Sequence, residues 1–189
     1  MNTSKGNDVV RYYDITCEGY NALYREEQFK KYEYVIEYHG IRPYDTILDL
    51  GCGTGLFLEY LIEKNIGFEK YVCLDPSRGM LSIYTRKFSD SMFQYKCLVL
   101  HGYGEHLPLK PKSIGSVYMF TVWDNLIDKE KVLRELKRII VDKGFIVISI
   151  LKKKIDDRVS TVFKKYFKIV EFLGCEDKDC FFILMAKNI

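Results

Sequence analysis

Ile47-Leu48-Asp49-Leu50 runs straight into Gly51-Cys52-Gly53-Thr54-Gly55, and Leu56 to Leu61 continues as an apolar, amphipathic stretch. The short apolar run reads as a buried strand, the glycine cluster as a tight turn and the stretch behind it as a helix. Glycines let the main chain turn sharply and admit a ligand without meeting a Cβ. The helix start behind the turn offers unpaired N–H groups. Strand, glycine turn and helix in this order are the geometry of a cofactor cradle.

Spacing separates the cofactors such a turn can hold. A dinucleotide turn reads G-x-G-x-x-G with an acid about 20 residues on. Here the spacing is G-x-G-x-G, and Asp49 stands just before it. In full, Leu48-Asp49-Leu50-Gly51-Cys52-Gly53-Thr54-Gly55 resembles motif I of the class I S-adenosylmethionine (SAM) methyltransferases, in their small, insertless, type 11/25-like form. The resemblance spans about Tyr12 to Ala186. It implies an α/β fold: a Rossmann-like, seven-stranded, mostly parallel sheet flanked by helices, its last strand antiparallel through a C-terminal β-hairpin. SAM is the implied cofactor and methyl transfer the implied reaction.

Lys70 to Leu74 reads as a second strand, ending at Asp75-Pro76-Ser77-Arg78-Gly79-Met80-Leu81. Asp75 falls 24 positions after Gly51. A carboxylate there can accept from both vicinal hydroxyls of a ribose, and the resembled family places its ribose acid in such a segment. Asp75 also suits the N-cap of a helix starting at Pro76, and both roles can hold. By the same resemblance Pro76 and Met80 flank the adenine. Gly51, Cys52 and Gly53 bring main chain to the methionyl end, while Asp49 holds the cradle or accepts from the ammonium group.

Cys97 to Leu100 is a third strand, followed by His101-Gly102-Tyr103-Gly104-Glu105-His106-Leu107-Pro108. Tyr103 stands where the family has an acid for the adenine amino group, so carbonyls of Gly102 to Gly104, or stacking by Tyr103, are expected to substitute. Glu105 and His106 read as solvated. Ser116 to Phe120 is a fourth strand whose end, at Phe120, is by the same resemblance expected to meet the cofactor, with Trp123 and Asp124 beyond it as substrate candidates. No Asn/Asp-Pro-Pro-Tyr/Phe sequence occurs, which disfavours methylation of planar amide or base nitrogens. If a base is required, Tyr20, Asp124 and His106 are the candidates. None need be, since holding a nucleophile in line supplies most of the acceleration.

Before the cradle, residues 1–8 read as a loose tail. Tyr20, Leu23, Tyr24, Tyr32 and Val35 fall on one helical face from about Asn21 to His39, with Gly40 as the stop. Tyr13 and Tyr20 are the residues that, by resemblance, close over the cofactor. One domain over 1–189 is expected, with a helical lid at 1–40 and a SAM-binding core at 41–189. After the fourth strand, Lys129 to Ile140 is an amphipathic helix capped by Asp128, and Phe145 to Leu151 a central strand. Tyr166 to Leu173 and Cys180 to Ala186 flank a polar turn and read as a hairpin.

Lys152 to Lys168 holds seven basic residues against two acids. It reads as a solvated helix face or as a footprint for RNA, so the acceptor is either a small molecule or RNA. A net charge of +3 does not by itself argue for nucleic acid. The cysteines show no C-x-x-C pair, and with the histidines no metal spacing, so no metal is expected. Cys52, Cys73 and Cys97 read as small buried hydrophobes. A bridge across the Cys175–Cys180 turn is allowed but not favoured. No apolar run approaches membrane-spanning length and the N-terminus lacks a signal core, which places the chain in the cytoplasm. A silent SAM-binding module, or a subunit needing an activator or a second copy, stays open; a nicotinamide oxidoreductase is disfavoured by the glycine spacing.

Overall fold

The computed structural model describes residues 3–91 and 93–187. A long helix, α1 (Thr3–Glu33), passes through a π-helical turn at Tyr34–Tyr38 into β1 (Thr46–Leu50). Then follow α2 (Leu56–Glu63), β2 (Lys70–Asp75), α3 (Arg78–Phe88), β3 (Cys97–His101), β4 (Ile114–Met119), α4 (Lys129–Ile139), β5 (Ile140–Leu151), α5 (Asp157–Tyr166), β6 (Phe167–Glu176) and β7 (Asp179–Ala186). Among the described residues one sheet holds these seven strands in the order β3-β2-β1-β4-β5-β7-β6. β7 runs antiparallel to both neighbours, because the short turn at Asp177-Lys178 folds the chain straight back. This is the sheet that the family resemblance implies.

Alternation along each strand sends neighbours to opposite faces. Ile47, Tyr71, Tyr118 and Val147 pack beneath α1, α2 and α3. Leu48, Val117, Ile146 and Ile148 pack against α4 and α5. Covered on both sides, β1, β4 and β5 are apolar almost throughout. Their carboxyl ends therefore form a rigid edge on which ligand-binding groups can be set.

The tail predicted over residues 1–8 and the helix start at Asn21 are both corrected: α1 begins at Thr3, and Met1 and Asn2 lie outside the described residues. Its first turn carries no acidic residue to complement the helix dipole. Packing holds it instead, with Gly6 close against Ile127 and Asp14 bonded to the start of α3. α3 begins at Arg78, not Pro76. Ser77 is its N-cap, accepting from Met80 N at 3.1 Å, because the Asp75 carboxylate is taken up elsewhere. β5 starts at Ile140 rather than Phe145, since Ile140 pairs with Ile114 beyond an irregularity in the ladder.

Cysteines expected as free thiols are paired. β2 runs beside β1, bringing the Cα of Cys73 5.4 Å from that of Cys52, and the two form a disulfide. Cys175 and Cys180 are cross-strand partners with Cα atoms 3.9 Å apart and form another. Cys17 and Cys97 are free.

A buried polar knot ties α1 to the sheet. Lys31 Nζ sits 2.6 Å from Asp179 Oδ2 as an ion pair and 3.0 Å from Glu27 Oε1. It also donates to Thr121 Oγ1 at 3.0 Å. Thr121 N donates to Ser149 Oγ, which donates on to Asp179 Oδ1. The knot fixes the chain leaving β4, where Thr121 takes a left-handed φ of 61°. No helix among the described residues is long and apolar enough to cross a membrane.

Candidate active site

β1 and β2 lie side by side, so the glycine turn and Asp75 meet at one corner of the sheet edge. Asp75 is buried. Its Oδ2 accepts from Gly53 N at 2.9 Å and its Oδ1 from Ser77 N at 2.8 Å. A carboxylate offers about four lone-pair positions, so two stay open toward the crevice that Asp75 lines. Gly51 has φ 78°, and a side chain on it would collide with Val122. Gly53 has φ 53° and open space where a Cβ would stand. Packing thus demands the first glycine; backbone conformation and access demand the second.

Asp49 is buried behind the turn and accepts from the Tyr71 hydroxyl at 2.5 Å. Burial pushes its carboxyl up to about 7, against the Tyr71 bond and with help from the Asp75 charge. Burial also lifts Asp75, to about 6, against its two amide bonds and with help from Asp14. Among the described residues neither makes an ion pair. The sign follows from linkage: a carboxyl raised on folding favours the folded state while neutral, and that stability is lost as pH rises through the folded value. Both acids are therefore poised to gain from a ligand that brings donors or positive charge.

The crevice is lined mainly by apolar side chains with a few polar groups among them, the make-up usual for small-molecule sites. Tyr13, Tyr20, Gly51, Gly53, Asp75, Pro76, Met80, Tyr103 and Phe120, all predicted for the cofactor, line it together. Asp49 and Cys52 line a smaller chamber that opens beside the same glycines. α1 covers the crevice. Tyr13 accepts from Asn125 Nδ2 at 3.4 Å and meets Tyr20 edge-on, ring centres 6.2 Å apart. Asp14 Oδ1 accepts from the Ser77 hydroxyl at 2.7 Å and from Gly79 N at 2.9 Å, and these bonds hold its carboxyl below the usual range.

Several predicted residues lie elsewhere. Gly102 donates its N–H to Asp75 O, and Gly104 is packed against Leu50 and Val132; neither lines the crevice. Trp123 is buried in the core, edge-on to Phe163 at 4.8 Å. The turn after β4 rolls it inward, away from ligand. Asp124 accepts from Leu151 N at 3.4 Å and lines a neighbouring recess. Glu105, expected in solvent, instead lines the crevice as a buried carboxylate, and accepts from Ile127 N and Asp128 N, both at 3.1 Å. His106 is exposed beside Lys131. Of the candidate bases only Tyr20 reaches the crevice, and burial raises its phenol far from ionisation at neutral pH.

Sequence reasoning missed Val9 and Val10, which continue the Tyr13 face one turn earlier, and Thr121, Val122, Asn125 and Leu126 in the turn after β4. Val10 and Val9 stand three and four positions before Tyr13, and that helical spacing could have found them. No spacing marks the turn residues.

A mostly parallel sheet in this strand order, with a glycine turn after β1 and an acid closing β2, is the frame of the class I methyltransferases. Residues 48–148 match the model of the methyltransferase domain family, and the chain belongs to that family. An uncharacterised protein of Methanocaldococcus jannaschii is 29% identical over 142 residues, 75% of this chain and 51% of its own. The ubiquinone/menaquinone biosynthesis C-methyltransferase UbiE of Campylobacter jejuni (strain 81116) is 28% identical over 149 residues, 77% of this chain and 54% of its own. The chain thus spans about half the length of these relatives. A SAM-dependent methyltransferase from Aquifex aeolicus superposes with a TM-score of 0.71 at 21% identity, covering 82% of this chain and 89% of that one.

Proposed function

We propose that this chain transfers a methyl group from SAM to a small, largely apolar acceptor, with the N-terminal 1–40 segment as the lid over a core at 41–189. The observation that carries the reading is the pair of buried carboxylates without ion-pair partners, Asp49 and Asp75, set around Gly51 and Gly53. SAM brings what each lacks: an ammonium group for Asp49 and two ribose hydroxyls for Asp75. Pro76 and Met80 provide apolar surface for the adenine, and Tyr103 an aromatic face. When bound, the cofactor supplies a methyl carbon already activated by its positive sulfur. The chain's own work is to hold and orient the acceptor and to keep water out. Phe120, Val122 and the α1 residues Val9, Val10 and Tyr13 suit that work.

The apolar lining favours a small molecule over RNA. So does the pairing of two residues of the basic stretch, Lys165 with Glu130 and Arg158 with Asp156. The Campylobacter relative is named for C-methylation in quinone biosynthesis, an acceptor of this kind. Calorimetry should give micromolar or tighter SAM binding. Tritium-methyl transfer should label a small-molecule extract rather than total RNA or protein. A folded sample that binds no SAM would refute the reading, and binding without turnover on any acceptor would leave a silent binding module.

The raised carboxyl of Asp49 gives a second check. Ammonium binding favours its ionised form, so SAM affinity should increase with pH through about 7. With a free-protein value near 7 the dissociation constant should be about tenfold weaker at pH 6 than at pH 8. Asp49→Asn should flatten most of that slope.

A further inference from the structure

α1 is buried on one side only. Cys17, Gln28 and Tyr32 lie on that side, and Tyr13 and Tyr20 reach the crevice from its flank. The opposite side carries Tyr12, Ile15 and Leu23, which are 55%, 72% and 72% exposed. Leu23, which the sequence groups with the buried face, therefore stands on the solvent side. At about 3.6 residues per turn the three fall within roughly 40° of one line along the helix. Single exposed apolar residues are ordinary, whereas a continuous stripe of them marks a contact surface.

Gly19 sits on the same line, midway between Ile15 and Leu23. Glycine inside a helix is destabilising relative to alanine. A Cβ on Gly19 would meet nothing within 4 Å, so no packing within this chain demands a glycine there. A missing side chain on an apolar stripe does have a use: it lets a second helix come close. The stripe ends in opposite charges. Asp8 lies eleven positions before Gly19 and Lys30 eleven after, about three turns each way. Asp8 is exposed and makes no ion pair among the described residues, and Lys30 meets only the exposed Glu26, at 3.4 Å. Reversed end to end about Gly19, the stripe is its own complement. Ile15 then faces Leu23, Tyr12 faces Glu26 and Asp8 faces Lys30, each pair occurring twice, as a two-fold contact requires.

We propose that the outer stripe of α1 is the interface for a second copy of this chain, the two helices packed antiparallel with their Gly19 residues at the closest approach. A membrane surface suits the stripe less. α1 carries five basic and six acidic residues, whereas helices that lie on anionic lipid are rich in Lys and Arg. From Asp8 to Lys30 the stripe runs about 33 Å and is one helix wide. That is small for a specific interface, so the dimer is expected to have a dissociation constant of about 1–100 µM. Each α1 is then held between its own sheet and its partner's helix.

Sedimentation equilibrium of the full chain at low salt is the test. Wild type should pass from monomer to dimer as its concentration rises through that range. Leu23→Glu should stay monomeric throughout it, because a charge replaces apolar contact on both copies. Gly19→Leu should stay monomeric as well, yet melt no lower than the wild-type monomer, since the site has room for a side chain and leucine favours helix. Asp8→Lys and Lys30→Asp should each dimerise about tenfold more weakly than wild type, as two attractive pairs become repulsive. Mixed in equal amounts, these two variants should associate about as tightly as wild type, each supplying the charge that the other lacks. A parallel pair would oppose like charges already in wild type and so could not show that loss and recovery. A wild type that is monomeric up to about 1 mM, charge variants as tight as wild type, or a mixture no tighter than its components would overturn the proposal. So would capture by phosphatidylcholine–phosphatidylglycerol vesicles without self-association, which would give the stripe to a membrane surface.

Discussion

Asp75→Ala should weaken SAM binding by at least about 100-fold. Two charge-assisted hydrogen bonds to ribose hydroxyls vanish, each typically contributing roughly 1.5–3 kcal/mol. The carboxylate also organises the site before any ligand arrives. It accepts from Gly53 N and Ser77 N, so its loss leaves two amides without their acceptor and frees the glycine turn from β2. Asp75→Asn keeps the volume and one acceptor oxygen, and should fall between, about tenfold weaker. Calorimetry measures both, at a temperature where melting curves show the variants folded. Binding by Asp75→Ala within threefold of wild type would remove the nucleoside from this corner.

A comparable effect, on stability rather than binding, is expected at Lys31. Both members of the Lys31–Asp179 pair are buried, at 4% and 0% exposure. Lys31→Met would strand the Asp179 carboxylate in the core with only Ser149 to bond it. Breaking such a pair from one side typically destabilises by about 3–5 kcal/mol. For a chain of this size that lowers the melting temperature on the order of 10 °C. Adding Asp179→Asn removes the stranded charge and should recover much of the loss. Melting curves of the two single variants and the double variant decide it: fully additive losses would mean that the pair is not coupled. Because Lys31 also bonds Thr121, the single variant should loosen the chain leaving β4.

What the sequence made legible was set by local chemistry. Gly51, Gly53 and Asp75 could be read because turn conformation, close approach and a carboxylate at a strand end each demand a narrow set of residues. The strands of the sheet were equally plain, apart from the extension of β5 to Ile140, which depends on a partner in β4. The first turns of α1 could not be read, because packing against Ile127 and α3 fixes them. Trp123 was misplaced for a related reason. A strand-end position implies the ligand side, but the turn after β4 rolls the indole onto Phe163.

The bonds from Ser77 and Gly79 to Asp14 run between α1 and the segment that follows Asp75. Opening the crevice on that side would break both bonds and lift α1 near its start.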